Sequence, residues 1–141
     1  MRFYYVFDIR AEYISLYHDS PKSLFDVLYQ LYYMRKKDIE YGFNMFKQLT
    51  NKINKEETDK DIFVKLHNKM TYIKKGNNHI INNLYKDEIS ALKVKNSYIL
   101  INSNKNYTEF FNVLLIENPN YFVCDFINKD YFFLSNIKIL V

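Results

Sequence analysis

The chain has 141 residues, 20 Lys and Arg against 16 Asp and Glu, and a single cysteine. That length suits one domain, 1–141, able to bury a core without disulfides or a structural metal, and no apolar run reaches the roughly 20 residues needed to cross a bilayer. The net charge of +4 tolerates an acidic partner but falls short of the concentrated basic surfaces of nucleic-acid binders.

Aromatic residues make up 18% of the chain, all Tyr and Phe, and glycine occurs only at Gly42 and Gly76. Asn-rich pairs are therefore expected to serve as turns. The segment Met1–Asp8 carries an early acid and no small-residue cleavage site, unlike a secretory signal. A reducing, cytoplasmic setting is expected.

Residues 3–10 are rich in aromatic and β-branched types and read as a first strand. A short helix over 11–18 follows. Ser20-Pro21 marks the next helix start, with Ser as N-cap and Pro at the first helical position. Behind it Leu24, Val27, Leu28 and Leu31 form an amphipathic stripe. A helix over 38–49 places Ile39, Phe43 and Phe46 on one face, although Gly42 weakens it. Residues 51–61 are polar without apolar period and read as a loop or solvated helix start. A helix over 60–69 then buries Ile62, Phe63 and Leu66.

Lys75-Gly76-Asn77-Asn78 reads as a turn. Residues 88–95 and 97–103 form a hairpin about Lys95-Asn96-Ser97. The last helix spans Asn106 to Glu117, with Phe110, Phe111, Val113 and Leu114 apolar, and Pro119 stops it. Strands at Tyr121–Phe126 and Tyr131–Leu134 are joined by Asn128-Lys129-Asp130. Strands at both ends with helices between them predict an α/β domain of the α+β type, built on a mostly antiparallel sheet packed with helices.

Chemistry-bearing patterns are sparse. Two isolated glycines cannot build a phosphate cradle. His18, His67 and His79 lie far apart, without a Cys pair or His-x-x-x-His spacing, so no metal site is expected. Cys124 shares a strand face with Phe122 and Phe126 and reads as a small buried hydrophobe rather than a nucleophile. Asp8 and Asp125 sit in hydrophobic strands; meeting on adjacent strands they could do acid–base work, but solvent exposure or loop capping is the expected role. The basic runs Arg35-Lys36-Lys37 and Lys74-Lys75 stand beside aromatics, yet Asp38 and Glu40 blunt the first, and both read as solvated faces.

Two stretches carry a resemblance. One is Tyr4-Tyr5-Val6-Phe7-Asp8-Ile9-Arg10-Ala11-Glu12-Tyr13-Ile14-Ser15-Leu16-Tyr17. The other combines Phe110-Phe111-Asn112-Val113-Leu114, Pro119, Phe122-Val123-Cys124-Asp125-Phe126 and Tyr131-Phe132-Phe133-Leu134. With a looser match at His67-Asn68-Lys69-Met70, they resemble the SirA family, the sporulation inhibitor of replication. The resemblance implies a regulator that binds the N-terminal domain of the replication initiator DnaA. It implies no catalytic role and no cofactor; direct nucleic-acid or membrane binding and a small-molecule substrate are not expected.

It also implies that aromatic side chains of the first helix, here Tyr13 and Tyr17, contact the partner. Four residues apart, they share a helical face. Tyrosine offers a large contact area with a polar tip at small entropic cost. Taken alone, Tyr13, Leu16 and Tyr17 form an ordinary core-facing stripe; with the resemblance the two tyrosines go to the partner and Leu16 stays with the core. The alternative is a nucleic-acid-binding domain that stacks bases on sheet aromatics such as Tyr4, Tyr98 or Tyr121, flanked by lysines.

Overall fold

The computed structural model describes residues 1–34 and 38–137; the basic run Arg35-Lys36-Lys37 lies outside the described residues. Strand β1 (Arg2–Asp8) leads to four helices, α1 (Ala11–Tyr17), α2 (Pro21–Tyr32), α3 (Ile39–Leu49) and α4 (Lys55–Leu66). Next come β2 (Tyr72–Lys75), β3 (Asn78–Asn83), β4 (Glu88–Val94) and β5 (Ile99–Ser103). Helix α5 (Glu109–Glu117), β6 (Tyr121–Asp125), β7 (Asp130–Phe133) and a 3-10 turn (Leu134–Asn136) complete the order. The strands make one sheet, β2-β3-β4-β5-β1-β6-β7. Every neighbouring pair is antiparallel. The α+β class is as expected.

The sheet sorts its side chains by the two-residue alternation of strands. Tyr4 and Val6 of β1 face a core shared with Leu92, Ile99 and Ile101, covered by Ile62 and Leu66 of α4 and Phe110, Phe111 and Leu114 of α5. Phe7 faces the other way, into a second core with Phe122, Cys124, Phe126 and Phe133, covered by Leu24, Phe25 and Leu28 of α2. Strand β6 is buried along its whole length because helices lie on both of its faces. Helices α1–α3 thus cover one face only around β1, β6 and β7, and the same face of β2–β5 carries exposed Ile73 and Ile89.

Two sequence expectations need correction. The fourth helix is Lys55–Leu66, so of the two readings of residues 51–61 the solvated helix start holds from Lys55 and the loop does not. Asn54 caps it by accepting the Glu57 amide at 3.1 Å, and Glu56 and Glu57 in the first turn complement the helix dipole. Only Ile62 and Leu66 of its expected apolar side are buried, while Phe63 is exposed. The hairpin β2–β3 was not expected at all. Its turn is the Lys75–Asn78 segment, with Gly76 at φ 62°, a left-handed conformation that glycine adopts without a Cβ penalty.

Gly42 does not interrupt α3. It is buried, and an added Cβ there would displace the end of the flexible Met34 side chain. Ser20 precedes α2 as expected, but its hydroxyl meets Ser23 Oγ at 2.8 Å instead of capping the helix. None of the described helices is long and apolar enough to cross a membrane.

Candidate protein-docking site

Helix α1 is held from below. Arg10, which precedes it, donates from Nη2 to the Lys47 carbonyl at 2.7 Å and from Nε to the Thr50 carbonyl at 3.1 Å. A cation at the C-terminal end of α3 also suits that helix's dipole. The Arg10 backbone amide donates to the Leu49 carbonyl at 2.9 Å, and Ile9 bridges to Thr50. One end of α1 is therefore tied to both β1 and α3.

No residue of α1 is fully buried. Tyr13, Ile14 and Tyr17 are half-buried and rest on the second core. The Tyr13 and Tyr17 rings stack, with centroids 6.4 Å apart and planes 20° from parallel. Leu16 is 65% exposed. The expectation that Leu16 belongs to the core is wrong: the helix turns its tyrosine edge inward and leaves the leucine in solvent. The helix thus presents a leucine beside two tyrosines whose other sides are already supported by packing.

Helix α3 departs from expectation too. Of Ile39, Phe43 and Phe46, only Phe46 is substantially covered, while Ile39 and Phe43 are 55% and 51% exposed. They border a cavity of about 440 Å³ between α2, α3 and the sheet, whose walls include Tyr5, Phe7, Phe46, Tyr98 and Phe126. Sequence periodicity marks the apolar face of α3 but not its incomplete cover, because cover depends on how far α3 stands from the sheet.

The remaining candidates separate. Asp8 lies where β1 pairs with Tyr121, and Asp125 at the opposite end of β6 beside Asp130, so the two carboxylates do not meet. Asp8 accepts the side-chain amides of Asn51 and Asn118 at 3.3 and 3.2 Å, and burial raises its pKa against those hydrogen bonds. Asp125 caps the β6–β7 turn, as expected, and pairs with Arg2 at 2.8 Å. His18 follows α1, His67 follows α4, and His79 is buried in β3. Among the described residues there is no group of three or more His, Cys, Asp or Glu side chains placed to hold a metal.

Cys124 is fully buried beside Phe122 and Phe126, and desolvation pushes its thiol pKa well up. A thiol reagent such as Ellman's reagent is expected to titrate it only after denaturation; rapid reaction of the native chain contradicts this placement.

Two of the three stacking residues of the nucleic-acid alternative are not available. Tyr4 is 0% and Tyr121 5% exposed, and burial pushes both phenols up to about 12. Tyr98 lies half-buried among Tyr5 and Phe7. Lys74 and Lys75 are exposed on β2.

No curated protein matches the chain. A family model described as the sporulation inhibitor of replication protein SirA matches residues 2–138, nearly the whole length and every strand and helix described above. The chain belongs to the SirA family, whose name makes its members inhibitors of replication in sporulation.

Proposed function

We propose that this chain restrains chromosome replication by docking on the N-terminal domain of the initiator DnaA through α1, with Tyr13 and Tyr17 as anchors. The observation that carries the reading is the stacked, half-buried tyrosine pair beside exposed Leu16 on a helix anchored to the sheet. Anchors already held by packing lose little rotamer freedom on binding, which favours affinity. The exposed leucine adds apolar area to the same contact.

The role requires binding and no chemistry. Submicromolar affinity, about −8 kcal/mol or better, suffices to cover a surface the partner needs. Calorimetric titration of the chain into the isolated N-terminal domain of its host's DnaA tests this directly. Tyr13→Ala and Tyr17→Ala are each expected to weaken binding about thirtyfold, the equivalent of roughly 2 kcal/mol, while the folded circular-dichroism signal is kept. Absence of binding by the folded wild type, or unfolding of either variant, would sink the assignment. A tyrosine-anchored contact is also expected to respond weakly to salt, whereas phosphate binding falls steeply as counterions are released.

A further inference from the structure

We infer that the open face of β2–β5 is a second docking surface, one that receives an acidic amphipathic helix of a protein partner. Cross-strand register builds this surface. Ile73 pairs with Ile80, Ile80 with Ala91, Ala91 with Asn102 and Asn102 with Phe3, so these five side chains stand in one row across five strands. At about 4.8 Å per strand the row is about 19 Å long, the length of about 13 residues of α-helix.

The row is apolar at four of its five positions, exposed at its two ends and half-buried at Ile80, Ala91 and Asn102. Ile73 is 60% and Phe3 40% exposed, and Ile89, one step away on the same face, is 52% exposed. Exposed sheet faces of antiparallel proteins ordinarily alternate to polar residues; a largely apolar row, broken only at Asn102, is the mark of an interaction surface. Ala91 at its centre forms a dip between Ile80 and Asn102. The Asn102 side-chain carbonyl oxygen, shielded from solvent, accepts no hydrogen bond among the described residues. Rotation of that amide would bring it to a donor on a covering segment.

Charge selects the occupant. The adjacent row reads Lys75, Asn78, Lys93, Leu100 and Tyr5. Lys75 and Lys93 are exposed, and no strand position on this face of β2–β5 or β1 carries an acid. A second copy of the chain would bring lysines to a face with no carboxylate to receive them. A helix with an apolar stripe and glutamates along one flank matches both rows, and a helix is the element that covers an apolar sheet face while satisfying its own backbone. The surface is separate from α1, so occupation of one leaves the other open.

The test uses the full chain and three labelled 14-residue helical peptides that share one leucine stripe and differ only in flanks of Glu, Gln or Lys. Fluorescence anisotropy is expected to give the Glu peptide a Kd on the order of 10–100 μM and at least about fivefold preference over the Lys peptide. The surface double variant Lys75→Glu/Lys93→Glu is expected to reverse that preference, and Ala91→Arg to abolish binding. Tyr17→Ala should change none of these values, which separates this surface from the α1 site. Binding indifferent to peptide charge, no binding of any peptide, or binding unaffected by Ala91→Arg overturns the inference. So does a dimer, seen by sedimentation, that Ala91→Arg dissociates, because the occupant is then a second copy.

Discussion

Asp125→Ala is expected to destabilise the fold by about 3 kcal/mol, the cost of removing a buried, hydrogen-bonded charge from its partners. The carboxylate is 1% exposed. It accepts the Ile127 and Asn128 amides at 3.1 and 3.0 Å, the Asn128 side chain at 2.8 Å and Arg2 Nε at 2.8 Å. These contacts close the β6–β7 turn and fasten the start of β1 to it. Urea denaturation is the measurement: the midpoint falls while the slope is kept. Asp125→Asn should lose less, since an amide oxygen still accepts part of the set. A loss below about 1 kcal/mol for the alanine variant contradicts the capping role.

The pH dependence of Asp125 follows from the same contacts. Burial raises its pKa, but the hydrogen bonds from Asn128 and the Arg2 guanidinium outweigh that, and the net shift is downward. A carboxylate whose folded pKa lies below its unfolded value contributes stability that is present above the unfolded pKa and lost as pH falls through the folded one. The alanine variant should lack that acid-side component.

The second large effect is expected at His79. This imidazole is fully buried between α4 and the β2–β3 hairpin. Nε2 donates to Asp59 Oδ1 at 2.8 Å, and Nδ1 accepts from the Tyr72 hydroxyl at 2.7 Å. Lys55 completes the chain with a 2.9 Å pair to Asp59. The neutral tautomer satisfies every partner. His79→Ala removes both bonds and opens a void, at an expected cost of about 3 kcal/mol. Desolvation lowers the His79 pKa, aided by Lys74 and Lys55 and opposed by Asp59.

The unfolded chain therefore takes up this proton first as pH falls. The stability His79 contributes is complete above its unfolded pKa, about 6.5, and is lost as pH falls from there through the folded value. Denaturation midpoints of the wild type at pH 7.5 and 5.5 should differ by more than those of His79→Leu. Equal differences would remove the buried histidine as the cause.

The legible parts of this fold are those where local chemistry and packing agree. Pro21, Pro119 and the stripe Leu24–Leu28 punctuate and orient helices by backbone constraint and periodicity, and the structure follows them. The alternation around Cys124 correctly puts the thiol with Phe122 and Phe126. The turn at Lys75–Asn78 is legible, but Lys74, Lys75, Asn78 and Asn82 mask the apolar alternation of the strands on either side, and only the partner α4, reached through His79 and Asp59, reveals why they pair. Leu16 was misplaced for the opposite reason. A seven-residue helix has too little surface for its stripe to fix its rotation, and the tie of Arg10 to Lys47 and Thr50, distant in sequence, helps set it. The assignment of Tyr13 and Tyr17 to a partner rests on family resemblance, not on spacing, and stands as a proposal.

The order of strands also dictates when the α1 surface comes into being. The β2–β5 meander pairs neighbours along the chain, whereas β1 pairs Tyr4 with Ile101 and Val6 with Val123. Contacts so remote in sequence close long loops and form late relative to local hairpins. During synthesis β1 and α1 leave the ribosome before β6 and β7, yet the core beneath Tyr13 and Tyr17 needs Phe122, Cys124 and Phe133 from those strands. On this ordering α1 is seated late, and a chain lacking β6 and β7 would lack the core on which the proposed docking helix rests.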